Sequence, residues 1–207
     1  MHIFELEKQR LIALVCFYIL AIGILWFRYT QTTHMRLKEL AMLDPMTNLL
    51  NRRGFELKIK ELKPATYIAF AVFDIDDFKV INDSFGHQVG DDIICQVAKL
   101  LSNSLRQTDL IARFGGEEFV LAIPSESAEL AHVILERVQS DISSPEICLS
   151  DDLVMPVTAS GGAVIYYHKN FDDIAHIWQS KGIAQADALL YQAKQTGKNK
   201  IVIGVDS

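Results

Sequence analysis

Between Arg10 and Arg28 lie seventeen residues, LIALVCFYILAIGILWF, without a charge or a strongly polar group. A soluble surface helix keeps one polar face, and this run has none. At about 1.5 Å per residue it spans roughly 25 Å, slightly less than the ~30 Å hydrocarbon core of a bilayer. Trp26 and Tyr29 stand at its trailing edge as interfacial aromatics, and Arg10 and Arg28 are placed to snorkel. The run reads as one transmembrane helix over residues 11–27, after a short segment 1–10. A cleaved signal peptide competes with this, since Lys8 and Arg10 form a basic start and Ala21-Ile22-Gly23 resembles a small-x-small cleavage pattern. Against it, the apolar run continues through Leu25, Trp26 and Phe27, where a signal peptide turns polar. Lys8 and Arg10 precede the span and Arg28, Arg36 and Lys38 follow it, a slight bias toward a cytosolic C-terminus. Residues 28–43 read as a helical connector with Leu37, Leu40 and Ala41 at i, i+3 and i+4, a stripe that could pair with a second copy or pack on its own domain.

What remains is enough for one domain, expected over residues 44–207, and too little for two. Twenty basic and 26 acidic residues give a net charge of −6, so nothing draws the chain as a whole toward a phosphate backbone, and nucleic acid is not an expected partner. Cys16, Cys95 and Cys148 are far apart and odd in number, which suggests neither a disulfide framework nor a thiolate zinc site.

Asp44-Pro45 punctuates the chain, and Thr47 ahead of Leu49, Leu50, Phe55 and Leu57 reads as the capped start of an amphipathic helix ending before Pro64. Residues 67–73 (YIAFAVF) form a short apolar run suited to a strand covered on both faces. Helical periodicity follows over 89–105, then a hairpin of strands 110–114 and 119–123 is expected around Gly115-Gly116. A helix over 126–141, a strand region over 154–167, a helix over 171–195 and a last strand over 200–205 complete the pattern. Helices mixed with strands and a hairpin imply an α/β fold with a mixed central sheet flanked by helices.

Strand alternation puts Asp74 and Asp76 on one face at the C-terminal end of a buried strand. A second acidic pair, Glu117-Glu118, directly follows two glycines whose missing side chains allow a tight turn and close approach to a phosphate. Two hard-oxygen clusters joined by one sheet suit magnesium, which prefers a few carboxylates plus substrate phosphates, and no His or Cys cluster points to zinc. Taken singly, each cluster reads more simply as a set of solvated loop charges.

Arg113-Phe114-Gly115-Gly116-Glu117-Glu118-Phe119 resembles the signature of the GGDEF family of diguanylate cyclases in its GGEEF form. Four further blocks match in order. They are Asp44-Pro45-Met46-Thr47 with Asn51-Arg52-Arg53; Phe73-Asp74-Ile75-Asp76 with Phe78-Lys79 and Ile81-Asn82-Asp83; Gly86-His87 with Gly90-Asp91; and Ala186-Asp187 with Tyr191, Ala193-Lys194 and Gly197-Lys198-Asn199. The resemblance covers residues 44 to 205. It implies a fold related to class III nucleotide cyclases and polymerase palms, and condensation of two GTP into cyclic di-GMP and two pyrophosphates.

By this resemblance Asp74, the Ile75 carbonyl and Glu117 hold two Mg2+ ions per site, for which Mn2+ can substitute, with Glu118 adjacent. Glu117 helps deprotonate the attacking 3′-hydroxyl. Lys79, Lys194 and Lys198 neutralise the triphosphate; Lys198 stands where the family usually has Arg, which implies weaker γ-phosphate binding. Asn82 and Asp91, with His87 nearby, correspond to the guanine-reading positions, and an Asp carboxylate suits the N1–H and N2–H donors of guanine. Arg106-Gln107-Thr108-Asp109 has the spacing of the family's inhibitory site, where Arg106 and Asp109 hold the product; a surface Arg–Asp pair is the plainer reading. Gly161 departs from the family's branched apolar residue and is expected to weaken packing without touching a catalytic group. The two-fold symmetric product needs two domains face to face, so a homodimer is expected, and the apolar run over residues 11–27 is expected to tether it to the inner (cytoplasmic) membrane as a single-pass protein, with its catalytic domain in the cytosol where GTP is. The alternative is a degenerate receptor that binds GTP or cyclic di-GMP without turnover.

Overall fold

The computed structural model describes residues 10, 14–31, 42–62, 65–143, 146–150, 153–167 and 173–206. Two compact units divide the chain, Met1–Ala41 and Met42–Ser207. In the first, helix α1 (Leu14–Gln31) is long and apolar enough to cross a membrane, and none of it is buried within the protein. The connector expected over 28–43 lies largely outside the described residues.

The second unit is built on strand β2 (Tyr67–Ile75), the apolar run of the sequence. Around it run β1 (Leu50–Asn51), β3 (Leu110–Gly115), β4 (Glu118–Ser125), β7 (Ala159–Tyr167) and β8 (Ile201–Asp206) in a six-stranded sheet of order β1-β3-β4-β2-β7-β8. β1 with β3 and β7 with β8 are parallel, and the other neighbours are antiparallel. Alternate residues of β2 leave to opposite faces, and both faces are covered. Ala69, Ala71, Phe73 and Ile75 join Ile93, Val97 and Leu101 of α4 (His87–Ser104) and Ala131, Leu135 and Val138 of α5 (Ala128–Ser143). Ile68, Phe70 and Val72 join Phe55 of α2 (Arg52–Lys58), Trp178, and Ala186 and Leu190 of α7 (Ile183–Gln195). The result is the expected mixed sheet between two helical layers.

Four local departures have physical causes. Thr47 does not cap a helix: its hydroxyl binds Asp44 at 2.7 Å within a turn, and α2 begins later, with the Asn51 side chain accepting the Gly54 N–H at 2.9 Å. Helix α3 (Phe78–Phe85) starts directly after Asp77, which is left-handed (φ 54°) and makes no side-chain cap, so the usual start signal is absent. The strand expected over 154–167 is broken at Val157-Thr158. The Thr158 carbonyl turns away to accept the Asp76 N–H at 2.8 Å, while β5 (Glu146–Ser150) and β6 (Leu153–Pro156) pair separately. The helix expected over 171–195 is α6 (Asp173–Ile177), a π-helical turn (Trp178–Gly182) and α7. That wider turn seats the Trp178 ring 4.8 Å from Phe55 and 5.3 Å from Phe70, centroid to centroid.

Gly161 also has a packing reason. It pairs with Phe73, and a Cβ there would lie 2.6 Å from the Phe73 ring, so the missing side chain makes room for that ring. At Gly162 a Cβ would lie 2.1 Å from the Leu190 nitrogen and 2.2 Å from the Ala186 oxygen. The backbone of α7 therefore rests directly on β7, which fixes the helix that carries Asp187 and Lys194.

Candidate active site

Asp74, next to last in β2, and Glu118, first in β4, face one another in the antiparallel ladder, which places their side chains on the same side of the sheet. Between β3 and β4 the register shifts at Arg113/Gly115, and Gly116 takes φ +50°, a conformation that disfavours any residue with a Cβ. Arg113 secures this turn. Its Nε donates to the Gly116 carbonyl at 2.9 Å and its guanidinium to Asp44 at 3.1 Å, a pair largely shielded from water. Burial pushes the Asp44 carboxyl up, but the Thr47 hydroxyl and amide together with Arg113 outweigh it and hold the group below its ordinary range.

Across the sheet, Lys194 near the end of α7 pairs with Asp74 at 2.7 Å. Burial raises the Asp74 carboxyl, Lys194 opposes this, and the charges of Glu117 and Asp76 add to the rise, which prevails. Glu118 is likewise raised, first by burial and then by Asp187 and Asp74, with Lys194 again opposing. Burial raises Asp187 too. The sheet and α7 thus gather Asp74, Glu117, Glu118 and Asp187 into one patch of net negative charge, only partly offset by Lys194. Among the described residues no three His, Cys, Asp or Glu side chains converge to enclose an ion. The donor set still fits a hard divalent cation, which binds through one or two carboxylates and completes its shell with water and phosphate. Unbalanced charge on half-buried carboxylates is what such an ion neutralises.

Burying the Asp187 charge has a measurable cost. A carboxyl raised in the fold contributes its full stability below its unfolded value, 3.8 for Asp187, and loses it as pH rises through the folded value. Asp187→Asn is therefore expected to raise the metal-free thermal midpoint at pH 7, with the gain gone at pH 3. An equal gain at both pH values would show that charge is not its source.

The remaining residues fall in three places. Asn82 on α3 and Asp91 on α4 lie on the adjoining pair of helices. Asn82 Oδ1 is buried without a hydrogen-bond partner, and a Cβ on Gly90 would come within 2.0 Å of it. Lys79 and His87 are exposed on the same two helices, and the Ile75 side chain is buried, leaving its backbone at the strand end. Lys198 follows α7 in a left-handed conformation (φ 58°) and pairs with Asp77 at 2.7 Å. Arg106 and Asp109 are not brought to this site: they precede β3, one strand length or on the order of 20 Å from Gly115. Asp109 is buried and its Oδ2 accepts the Arg106 backbone N–H at 2.8 Å, so it closes a turn rather than pairing with the arginine side chain. Sequence reasoning gave Asp187 no role. The signal available was its spacing of seven from Lys194, which puts both on one helical face.

Residues 41–200 match the family model described as the diguanylate cyclase GGDEF domain. The chain belongs to the GGDEF family. Its GGDEF domain is 35% identical over 176 residues to the probable diguanylate cyclase DgcT of Escherichia coli (strain K12), covering 80% of this chain and 36% of that protein. The chain spans less than half the length of the first curated relatives it matches. The solved GGDEF domain of DgcB from Caulobacter crescentus, in complex with c-di-GMP, is 32% identical with a TM-score of 0.67, covering 79% of this chain and 93% of that one. The active GGEEF domain of a diguanylate cyclase from Vibrio cholerae is 27% identical with a TM-score of 0.60, covering 77% and 99%.

Proposed function

We propose that the chain is a membrane-tethered diguanylate cyclase, which joins two GTP molecules into cyclic di-GMP and releases two pyrophosphates. The observation that carries this reading is the pairing of Asp74 with Glu118 beside the Glu117 turn, with Lys194 between the carboxylates and the end of α7. Asp74, the Ile75 carbonyl and Glu117 would hold Mg2+ there, and Mn2+ would suit the same oxygen donors. When bound, the metal neutralises charge on the α-phosphate and the leaving pyrophosphate. Lys79, Lys194 and Lys198 bind the triphosphate oxygens, and the Glu117–Glu118 pair takes the proton of the attacking 3′-hydroxyl. The Asn82 side-chain amide and the Asp91 carboxylate read the guanine edge, whose N1–H and N2–H donors suit the carboxylate, where adenine presents an N1 acceptor and no N2 amino group.

The product is two-fold symmetric while each site binds one GTP, so two domains must face each other with each 3′-hydroxyl aimed at the other α-phosphate. Tethering through α1 raises the concentration of the partner domain, and cytosolic GTP requires the domain on the cytosolic side of the inner membrane. Arg106 and Asp109 hold the product at the inhibitory site, the exposed Arg106 side chain supplying the charged contact and Asp109 keeping acceptor capacity beyond the one N–H it takes from its own turn. Arg106→Ala should leave the initial rate unchanged and weaken inhibition by cyclic di-GMP; an unchanged inhibition curve would leave Arg106 a surface residue.

Pyrophosphate release by the purified chain with magnesium tests the assignment. GTP should be consumed at least about 100-fold faster than ATP, the discrimination open to a site built on hydrogen bonds to one base. Similar rates would refute guanine reading, and tight GTP binding without release would favour the receptor.

A further inference from the structure

Asp76 is one of few buried charged residues in the domain, at 6% exposure, and no charged side chain bonds to it. Its Oδ1 accepts the Ser160 hydroxyl at 2.7 Å; its Oδ2 accepts the Thr158 hydroxyl at 2.8 Å and the Asn199 backbone N–H at 3.0 Å. Three segments therefore meet on one carboxylate: the end of β2, the start of β7 and the turn after α7. That turn is strained, since Lys198 and Asn199 are consecutive non-glycine residues at φ 58° and 47°. Its other backbone ties are Lys198 N–H to Ala193 at 3.1 Å and Lys200 carbonyl to Gly161 at 2.9 Å. Two ties reach the strained pair from the residues after β2: the Asp76 carboxylate accepts the Asn199 N–H, and Asp77 accepts from the Lys198 ammonium at 2.7 Å, a partner that an incoming phosphate would replace.

We infer that Asp76 is a positioning residue: its buried carboxylate holds the left-handed turn at Lys198-Asn199 so that the Lys198 ammonium is presented to the terminal phosphate of the nucleotide. This rests on the nucleotide reading of the site. At the turn Asp76 acts through hydrogen-bond geometry, because each bonded partner is a neutral donor and two are hydroxyls that can reverse; its charge on Asp74 is common to both nucleotides and cancels in their comparison. Asparagine fits the same frame, with its oxygen accepting from Asn199 and Thr158 and its amide donating to the Ser160 oxygen. Alanine leaves the Asn199 amide without an acceptor and frees the strained turn.

Binding of 3′-deoxy-GTP, which lacks the attacking hydroxyl, and of GDP, which lacks the γ-phosphate, by the intact chain with magnesium tests this. Asp76→Ala should lower affinity for 3′-deoxy-GTP about tenfold and leave GDP within about twofold, the loss of one charged contact. Lys198→Ala should show the same loss, the double variant no more than either, and Asp76→Asn nearly wild-type affinity for both nucleotides. Loss in Asp76→Asn equal to that in Asp76→Ala would overturn the inference by showing that the charge matters, and equal losses for GDP would reduce Asp76 to general packing. If Asp76→Ala does not fold, Asp76→Ser, whose hydroxyl is too short to reach the Asn199 amide, replaces it: a loss for 3′-deoxy-GTP alone, matching Lys198→Ala, supports the inference, and wild-type affinity overturns it. Wild-type protein that binds neither nucleotide would overturn the nucleotide reading, whereas wild-type binding with no effect of Asp76→Ala would overturn this inference alone.

Discussion

Glu117→Gln is expected to lower the rate of GTP turnover at least ~100-fold with the domain still folded, the usual scale for losing one group that stabilises a transition state. The substitution keeps the shape and removes the charge. Glu117 sits in the β3–β4 turn, outside both hydrophobic clusters, so nothing in the core depends on it. Its charge adds to the rise of both the Asp74 and the Glu118 carboxyl. The metal-free variant should therefore melt no lower than the parent protein. Unfolding together with lost activity would mark Glu117 as structural, and wild-type turnover would remove it from the metal site.

Gly162→Ala is expected to destabilise the domain by about 3 kcal/mol, the upper range of overpacking, because the added carbon meets backbone and not a side chain. All three nearest atoms, the Leu190 nitrogen, the Ala186 oxygen and the Leu189 carbon, belong to the backbone of α7, and the farthest lies at 2.7 Å. Only displacement of the helix makes room, and that carries Asp187 and Lys194 away from Asp74. The thermal midpoint should fall by roughly 10 °C. Gly161→Ala is the comparison: two of its three nearest atoms belong to the Phe73 ring and the third to the Ile201 side chain, all of which can shift, so its cost should be smaller. Equal midpoints for the two variants would show that α7 is not held by this contact.

Legibility followed the physics of each element. The apolar run of β2 can satisfy its backbone and bury its side chains in few ways, so both its strand character and its two covered faces could be read directly. The hairpin around Gly115-Gly116 was equally plain, because a turn of that kind needs glycine. What escaped depends on distant partners. Helix α3 has no side-chain cap, the break before β7 is made by Asp76 from a strand eighty residues earlier, and the π-helical turn is set by rings of α2 and β2 around Trp178. At the site, Asp74, Glu117 and Glu118 could be found because they follow a strand and a glycine turn. Asp187 was silent, because an acidic residue within a helix looks like surface until the fold turns it toward Glu118. Asp109 looked like half of an ion pair, and only the backbone geometry shows that its carboxylate closes a turn.

The most direct test is to incubate the purified 207-residue chain with GTP and magnesium and identify the product by mass spectrometry. The account predicts a cyclic dinucleotide of two guanylates, two pyrophosphates for each, specific activity that falls when the enzyme is diluted below its dimerisation range, and no product from Glu117→Gln. A linear or absent dinucleotide from folded, GTP-binding protein, or equal yields from the parent and Glu117→Gln, would contradict it.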